Sequence, residues 1–476
     1  MYSYYKENKF LILLGIFWII LWSSLNTFPP DMDYFKNINL KHPYSKEFFI
    51  QTINLIRFYS PVIFTNIFLI ILILKSQKYV HNFSFLLIIY FIFFLSQLIG
   101  LILFDSHNFN LERTFLVILA FNGIGIIYLA NKILNDNQIK IFYFINLFFL
   151  FFIVIVYLPI MYIDFFNSVK LYLYNSQTWK ETFLDDPIIR VTGLSRVLAL
   201  VSIILLVKLN EKLSKKTFLI IFLLLIFIGI NIWGFQSRIT IFSLIIIIFL
   251  NLIFFSKNQI LKNVIAALLI ISFSIIGFKA VQNLKLVYLK SEKSELLFED
   301  QNFVDVYKNF LEEKPNRIAE VYSRSKDLKV DDSELKYITS SRNVIWSKII
   351  NSYDYKKLFG YGPQADRYVL LKETENPSSG YMTNTSSSLF YAFICGGYIG
   401  LILFIIINIY VLLILFQFLK MKTYLKKDNF YLNSLFLIII FIGIRSFFEN
   451  SHAVFSLDFL VFLSSTMIFN KLLKKI

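Results

Sequence analysis

Long apolar runs without a single charge constrain this chain more than any other feature of its sequence. Examples are LFFLFFIVIVYL at 147–158 and FSLIIIIFLNLIFF at 242–255. A helix needs about 20 predominantly apolar residues to cross roughly 30 Å of hydrocarbon. These runs do not alternate between apolar and polar residues, and in lipid only helices or closed barrels satisfy every backbone hydrogen bond. We therefore predict an all-α polytopic membrane protein.

The composition supports this prediction and indicates which partners to expect. The chain is 57% hydrophobic and only 16% charged, whereas a soluble domain carries about 25% charged residues. The net charge of +16 is spread over short loops rather than gathered in one patch. We interpret it as a set of topology signals beside anionic membrane lipid, and we expect no nucleic-acid partner.

Hydropathy predicts about twelve membrane spans and divides the chain into three regions. The predicted spans are 10–26, 57–75, 82–104, 114–131, 140–163, 193–209, 217–235, 238–256, 260–280, 386–410, 429–447 and 453–470. Nine of them fill residues 1–280, a long polar segment occupies 281–385, and three more fill 386–476. With both termini in the cytoplasm, every cytoplasmic loop is short and rich in lysine, as the positive-inside rule requires. The segment 281–385 then becomes a long outer (periplasmic) loop with short helices at 303–313 and 334–352.

The arginines of the chain lie on the predicted outer side only, in loops or at span ends, whereas the cytoplasmic loops carry lysine. They are Arg57, Arg113, Arg190, Arg196, Arg238, Arg317, Arg324, Arg342, Arg367 and Arg445. The planar guanidinium fork binds phosphate through two hydrogen bonds, which favours a pyrophosphate-bearing ligand at the outer face. This interpretation is strongest for Arg196, Arg238 and Arg445, because they lie at span ends among apolar residues. The alternative is that these arginines bind lipid headgroups or pair with nearby acids such as Asp185 and Asp186.

Arg342 lies on an apolar stripe at helical spacing. Ile338, Arg342, Ile345 and Ile349 are separated by four, three and four residues. This spacing predicts an amphipathic helix along the membrane surface, with Arg342 directed toward the bundle. The alternative is that the long side chain of Arg342 extends to the lipid headgroups.

Six short segments occur in an order that resembles a known enzyme superfamily. They are GLSRVLAL (193–200), FQSRITIFSL (235–244), SSRNVIW (340–346), LFGYGPQADR (358–367), SSSLFYAFICGGYIG (386–400) and GIRSFFENS (443–451). Together they look like the O-antigen polymerase (Wzy) and O-antigen ligase (WaaL) superfamily, over about residues 190–451. The resemblance implies a GT-C-like membrane glycosyltransferase of the bacterial inner membrane that needs no cofactor. Its implied substrate is an undecaprenyl-pyrophosphate-linked oligosaccharide at the periplasmic face, and a chain-length regulator is a candidate partner.

The resemblance also bears on individual residues. Arg190 and Arg342 are similar in placement to the arginines that the family uses for the pyrophosphate. Ligases carry His, then Asn, Ser or Gln, then nine residues before Gly-x-x-Gly; here Gly397–Gly400 puts Ser386 at the histidine position. Because the ligase histidine is absent, we favour a polymerase, with a ligase as the alternative. The Arg-to-Gly spacing of some polymerases is also missing, since no glycine lies eleven residues after Arg190 or Arg342.

A general base is expected to take the proton of the acceptor hydroxyl. The candidates are Glu449, Asp366 and His452. Arg445, Glu449 and His452 are spaced by four and three residues, which predicts one helical face at the outer end of the eleventh span. The alternative is a structural ion pair at a polar helix end. The histidines are scattered along the sequence, so we expect no metal site.

The segment LFGYGPQADR at 358–367 resembles a phosphate loop only superficially, because it lacks the spacing of a nucleotide-binding loop. We expect Gly360 and Gly362 to turn the chain sharply and Pro363 to fix its exit. That turn would bring Asp366 and Arg367 over the arginine-lined face as part of a lid.

Two other classes of function compete with the glycosyltransferase. A flippase or other transporter fits about twelve spans equally well, but carriers usually bind at the membrane midplane between paired repeats. The predicted spans lack central charges and such repeats. A structural or assembly partner would not require arginines gathered at one face.

Overall fold

The structure is a computed structural model in which most of the predicted helical bundle is described. The described residues are 62–67, 69–70, 74, 84–104, 111–139, 158–159, 162, 166, 191–235, 237–256, 260–292, 346–347, 349–351, 353–366, 385, 387–422, 429–454 and 456–474. Within them the secondary structure is helical and contains no strand. The long helices are α1 (Phe85–Phe104), α2 (Leu111–Ile133), α3 (Val191–Leu209), α4 (Lys215–Phe235), α5 (Arg238–Phe255), α6 (Ile260–Glu292), α7 (Ser388–Lys422), α8 (Phe430–Ser446) and α9 (Leu457–Leu473).

Six of the described helices, α1, α2, α4, α5, α6 and α7, are long and apolar enough to cross a membrane. Helix α8 is a shorter apolar helix. Large apolar side chains such as Phe249 and Phe416 remain exposed on these helices, as expected for surfaces that face lipid rather than water. The prediction of a multi-pass helical membrane protein is therefore confirmed. The predicted spans 10–26, 57–75 and 140–163 lie wholly or largely outside the described residues.

Two helices extend well past their predicted ends. Helix α6 continues to Glu292 rather than ending near residue 280, and α7 continues to Lys422 rather than ending near residue 410. Hydropathy marks only the part of a helix that crosses lipid. The extension of α6 (281–292) is partly polar, so hydropathy marks only part of it. The extension of α7 up to Met421 is apolar, so the predicted end near residue 410 came too early because a span was assumed to be little longer than the bilayer core.

Helices α3 and α8 form the centre of the bundle. Helix α3 packs against α4, α5 and α8, and α8 also packs against α5, α7 and α9. Helix α1 packs along α7 and beside α2, while α6 packs on α4 at the edge. Apolar side chains of α3 and α8, such as Leu198 and Phe441, are fully buried. Residues near the ends of these two helices are therefore held by neighbours on several sides.

The two ends of the described bundle differ in the type of basic residue that they carry. Helix α2 has Arg113 near its start and Lys132 in its last turn, and α3 has Arg196 near its start and Lys208 in its last turn. Helices joined by a short connection run antiparallel, and α3 begins beside the start of α9, where Arg196 pairs with Asp458. The starts of α2, α3, α5, α7 and α9 therefore meet the ends of α1, α4, α6 and α8. We call this end, which also carries Arg238 and Arg445, the arginine end and the opposite end the lysine end.

Candidate active site at the arginine end

Two arginines and one aspartate from three helices form a buried cluster. Arg196 lies in the second turn of α3, Arg445 in the last turn of α8 and Asp458 in the first turn of α9. Arg196 Nη1 is 3.1 Å from Asp458 Oδ1, and Arg445 Nε is 3.6 Å from Asp458 Oδ2. The Ser451 hydroxyl donates to Asp458 Oδ2 at 2.8 Å, and Arg445 Nη1 donates to the Thr240 hydroxyl at 2.6 Å. The structure thus brings together two of the predicted pyrophosphate-binding arginines.

We call Arg196, Arg445 and Asp458 the arginine cluster; the formal charges of these three side chains add up to +1. The side chains of Arg445 and Asp458 are 2% and 1% exposed, and that of Arg196 is 13% exposed. Removal from water strengthens electrostatic attraction, so excess positive charge in such a place favours a further anion. The guanidinium fork binds two oxygens of one carboxylate or phosphate group at the same time.

The other predicted arginines have different positions. Arg238 is the first residue of α5, with an exposed side chain, and lies two residues before Thr240. Helix α4 ends at Phe235 and α5 begins at Arg238, in agreement with the predicted spans 217–235 and 238–256. Arg190, Arg342 and Arg367 lie outside the described residues, and so do most of the stripe around Arg342 and the stretch 303–313.

Asp366 is fully buried beside the start of α7. Its Oδ2 accepts a hydrogen bond from Asn450 Nδ2 at 3.0 Å and one from the Thr385 backbone N–H at 3.3 Å. Asn450 Oδ1 in turn accepts from the Ser387 backbone N–H at 3.0 Å and from the Thr385 hydroxyl at 2.5 Å. Asn450 therefore fixes the carboxylate relative to the segment that leads into α7.

The 447–454 turn, which follows α8, joins Asp366 to the arginine cluster. Asn450 binds Asp366 and the next residue, Ser451, binds Asp458; the Cα atoms of such neighbours are about 3.8 Å apart. The predicted carboxylate Asp366 is therefore connected to the arginine cluster through two successive residues of this turn. Sequence reasoning missed Asn450, because an amide role between distant segments has no local sequence signal.

The prediction that Arg445, Glu449 and His452 share one helical face is wrong. Helix α8 ends at Ser446, where Phe447 N–H donates to Ile444 O and Phe448 N–H donates to Arg445 O. Such hydrogen bonds to the third preceding residue tighten the last turn and close the helix. Glu449 is half-buried, and its carbonyl accepts from the Ser388 hydroxyl at 2.9 Å.

His452 is fully buried among aromatic rings of three helices. Its Nδ1 lies 2.9 Å from the Tyr90 hydroxyl, and the rings of Phe404 and Phe462 meet it edge-on at 5.2 and 4.9 Å. Burial lowers the pKa of His452 to about 4, against the opposing attraction of the Asp458 carboxylate. A base with so low a pKa accepts a proton poorly at neutral pH, so these surroundings favour a packing role.

The glycine loop, residues 358–366, joins a break in α7. Gly397 interrupts α7 with φ 67° and ψ −158°. Tyr361 N–H donates to Ile394 O and Gly362 N–H donates to Cys395 O, both at 3.0 Å, while Leu358 O accepts from Ile399 N–H at 3.3 Å. The loop backbone therefore supplies hydrogen bonds that the broken helix cannot make within itself, as non-helical backbone in a membrane protein requires.

The contact between the glycine loop, α1 and α7 depends on the absence of side chains. A Cβ atom on Gly397 would lie 2.1 Å from Leu358 O, and one on Gly100 would lie 2.4 Å from Phe359 O. Gly360 and Gly362 have φ values of +68° and +89°, which glycine adopts without strain. The predicted sharp turn is confirmed, and the loop is inserted against the bundle. Its role as a lid stays a prediction.

Arg113 and Asp458 are further residues that sequence reasoning did not assign. Arg113 is fully buried, and it donates from Nε to Pro363 O at 2.6 Å and from Nη2 to Tyr361 O at 2.8 Å. It therefore holds the glycine loop from the start of α2. Asp458 is the one acidic residue in the predicted span 453–470. An ionisable residue within such a span is a functional candidate by default, and that signal could have identified it.

Comparison with models of known protein families gives a match. Residues 222–405 match the family model described as O-antigen ligase, Wzy_C. The matched segment covers α5, α6, the glycine loop and the break in α7. It supports the resemblance to the Wzy and WaaL superfamily. No curated protein and no solved structure matches the chain.

Proposed function

Because residues 222–405 carry a domain of the Wzy and WaaL superfamily, we propose that this protein is a polysaccharide polymerase of the bacterial inner membrane. It transfers a glycan from undecaprenyl pyrophosphate onto a sugar hydroxyl of another lipid-linked repeat unit. In this proposal both termini are cytoplasmic and the arginine end faces the periplasm. The lysine-rich opposite end agrees with this orientation under the positive-inside rule.

The observation that carries the proposal is the arginine cluster. Two guanidinium groups meet one carboxylate in a place that is almost closed to water. A lipid pyrophosphate that approaches from the arginine end competes with Asp458 for both arginines. Negative charge grows on the pyrophosphate as its bond to the sugar breaks, and fixed cationic donors stabilise that charge most in the transition state.

Asp366 is the proposed general base. The acceptor hydroxyl oxygen attacks the anomeric carbon of the donor sugar, the bond from that carbon to the pyrophosphate oxygen breaks, and undecaprenyl pyrophosphate leaves. The hydroxyl proton passes to the Asp366 carboxylate. Asn450 orients this carboxylate through its 3.0 Å hydrogen bond, and orientation of a catalytic group lowers the entropic part of the barrier.

The position of Asp366 gives the proposed polymerase a base in the absence of the ligase histidine. Ser386 stands where ligases carry their histidine, and the preceding residue, Thr385, donates its backbone N–H to Asp366. A carboxylate therefore lies beside the residue that precedes Ser386 in the chain. Asp366 offers the proton acceptor that Ser386 does not, so the loss of the histidine does not remove a base from the site.

Reconstitution with purified lipid-linked repeat unit tests the proposal. Lengthening of the glycan supports a polymerase, transfer to a different acceptor indicates a ligase, and movement across the bilayer without a new bond indicates a flippase. Arg445→Lys is expected to lower polymerisation at least about tenfold, because an ammonium cannot reproduce the guanidinium fork. Lys208→Ala is the matched control, since it removes a cation that pairs with Glu211 at the lysine end. Full polymerisation by the Arg445→Lys protein would refute the proposed pyrophosphate site.

A further inference from the structure

Two glutamines meet at the hydroxyl of Tyr391, outside the arginine cluster. Gln97 lies in α1, Gln364 in the glycine loop and Tyr391 in the first part of α7. The Tyr391 hydroxyl donates to Gln97 Oε1 at 3.2 Å and accepts from the Gln364 backbone N–H at 3.5 Å. All three side chains are fully buried. We call these three residues the amide cluster.

The amide groups of the two glutamines are only partly hydrogen-bonded. Within the described part of the chain, Gln97 Nε2 and both side-chain polar atoms of Gln364 lack a hydrogen-bond partner. Buried polar groups in native proteins are nearly always hydrogen-bonded, so three unpaired polar atoms on two residues that Tyr391 connects require an explanation. Together they offer donors and an acceptor that a polar ligand can use.

Gln364 also has an unfavourable backbone conformation. Its φ is +58°, and it is the one described non-glycine residue with a positive φ. Side chains with a Cβ rarely adopt this region, and such outliers cluster at ligand-binding and catalytic positions. A glycine would remove the strain, as it does at Gly360 and Gly362 nearby. The presence of glutamine here therefore indicates a use for its side chain.

We infer that the amide cluster is a subsite for the glycan, in which Gln97 and Gln364 hydrogen-bond a hydroxyl or acetamido group of a sugar. The choice of ligand rests on the proposed function. Sugar hydroxyls donate and accept hydrogen bonds, which matches side-chain amides better than charged groups. Asp366 lies two residues after Gln364, so a sugar held here places its hydroxyls near the proposed base.

Entry of a sugar requires the glycine loop to move away from α1, because the amide cluster is closed to solvent. The glycine loop then serves as the wall that closes over the bound sugar. Sugar binding is expected to change amide hydrogen exchange in the segment 358–366.

Substitutions that remove the amides while keeping side-chain size test the inference. Gln97→Met and Gln364→Met are each expected to lower kcat/KM for the lipid-linked repeat unit about tenfold or more, mainly through KM. Their affinity for undecaprenyl pyrophosphate without sugar is expected to stay within about twofold of wild type. Asn408→Leu is the control, because the Asn408 amide only donates to Phe404 O within α7, at 2.8 Å. This variant is expected to leave kcat/KM and the affinity for undecaprenyl pyrophosphate unchanged.

The Gln364→Gly variant separates a role of this side chain in sugar recognition from a role in the structure of the glycine loop. It removes the strain as well as the amide, so thermal stability is expected to rise while transfer falls. If Gln364→Gly or both methionine variants transfer the glycan at the wild-type rate, the inference is overturned. The unpaired amides then bind only water, and Gln364 is only a turn residue. If the wild-type protein does not polymerise, the proposed function fails. Binding of the lipid-free repeat-unit oligosaccharide, measured by saturation-transfer NMR, then decides the inference: loss of binding in the methionine variants supports it, and unchanged binding overturns it.

Discussion

Replacement of Asp458 by asparagine is expected to weaken the fold and strengthen pyrophosphate binding at the same time. At the observed separations of 3.1 and 3.6 Å, an effective dielectric constant of about 20 gives roughly 5 kcal/mol of attraction for each arginine. Desolvation offsets much of this, and removal of one partner from a buried ion pair typically costs about 3–5 kcal/mol of folding free energy. Without the carboxylate, a pyrophosphate no longer competes for Arg196 and Arg445, so its affinity is expected to rise at least about tenfold.

Thermal and denaturant unfolding in detergent, with and without inorganic pyrophosphate, measures both effects. Ser451→Ala is the matched control, since it removes the 2.8 Å hydrogen bond to Asp458 and keeps the charge. It is expected to lower the free energy of unfolding by about 1–2 kcal/mol and to leave pyrophosphate affinity unchanged. If Asp458→Asn lowers stability but pyrophosphate affinity stays at the wild-type value, the arginine cluster is a structural ion pair and the reasoning is refuted.

Three other substitutions test the base, the buried histidine and the break in α7. Asp366→Asn is expected to lower transfer about 10²–10⁴-fold with little change in pyrophosphate affinity; transfer at the wild-type rate excludes Asp366 as the base. The pKa of His452 is lowered to about 4, so as the pH falls the unfolded chain takes up the imidazole proton before the folded protein does. The contribution of His452 to the free energy of unfolding is therefore present above pH 6.5 and falls by about 2 kcal/mol between pH 6.5 and 5. His452→Gln is expected to flatten this part of the stability profile in denaturant titrations, and an unchanged slope contradicts the assignment. Gly397→Ala is expected to lower the free energy of unfolding by at least about 2 kcal/mol, whereas Gly443→Ala, where a Cβ meets nothing within 4 Å, is expected not to lower it.

Hydropathy predicts much of the fold because lipid leaves the backbone few choices. The predicted spans 238–256 and 429–447 agree closely with α5 (Arg238–Phe255) and α8 (Phe430–Ser446). Every backbone group in lipid must be bonded internally, so an apolar run of sufficient length becomes a helix whatever its tertiary contacts. The polar extension of α6 to Glu292 is outside the reach of this argument.

The candidate site could be predicted only in part. Arg196 and Arg445 stand out in sequence because charges are rare among apolar residues. Their shared partner, Asp458, lies thirteen or more residues away along the chain, and only packing of α3, α8 and α9 brings the three together. The break at Gly397 and its repair by the glycine loop are equally a property of distant segments. No local pattern distinguishes Gly397 from the other glycines of GGYIG at 396–400.

A structure of the protein with undecaprenyl pyrophosphate bound tests the central claim most directly. The account predicts pyrophosphate oxygens about 2.7–2.9 Å from guanidinium nitrogens of Arg196 and Arg445. It also predicts that the distance from Asp458 to at least one of the two arginines increases beyond the values of the ligand-free protein. Pyrophosphate bound away from both arginines, with the contacts of Asp458 unchanged at 3.1 and 3.6 Å, would contradict the account.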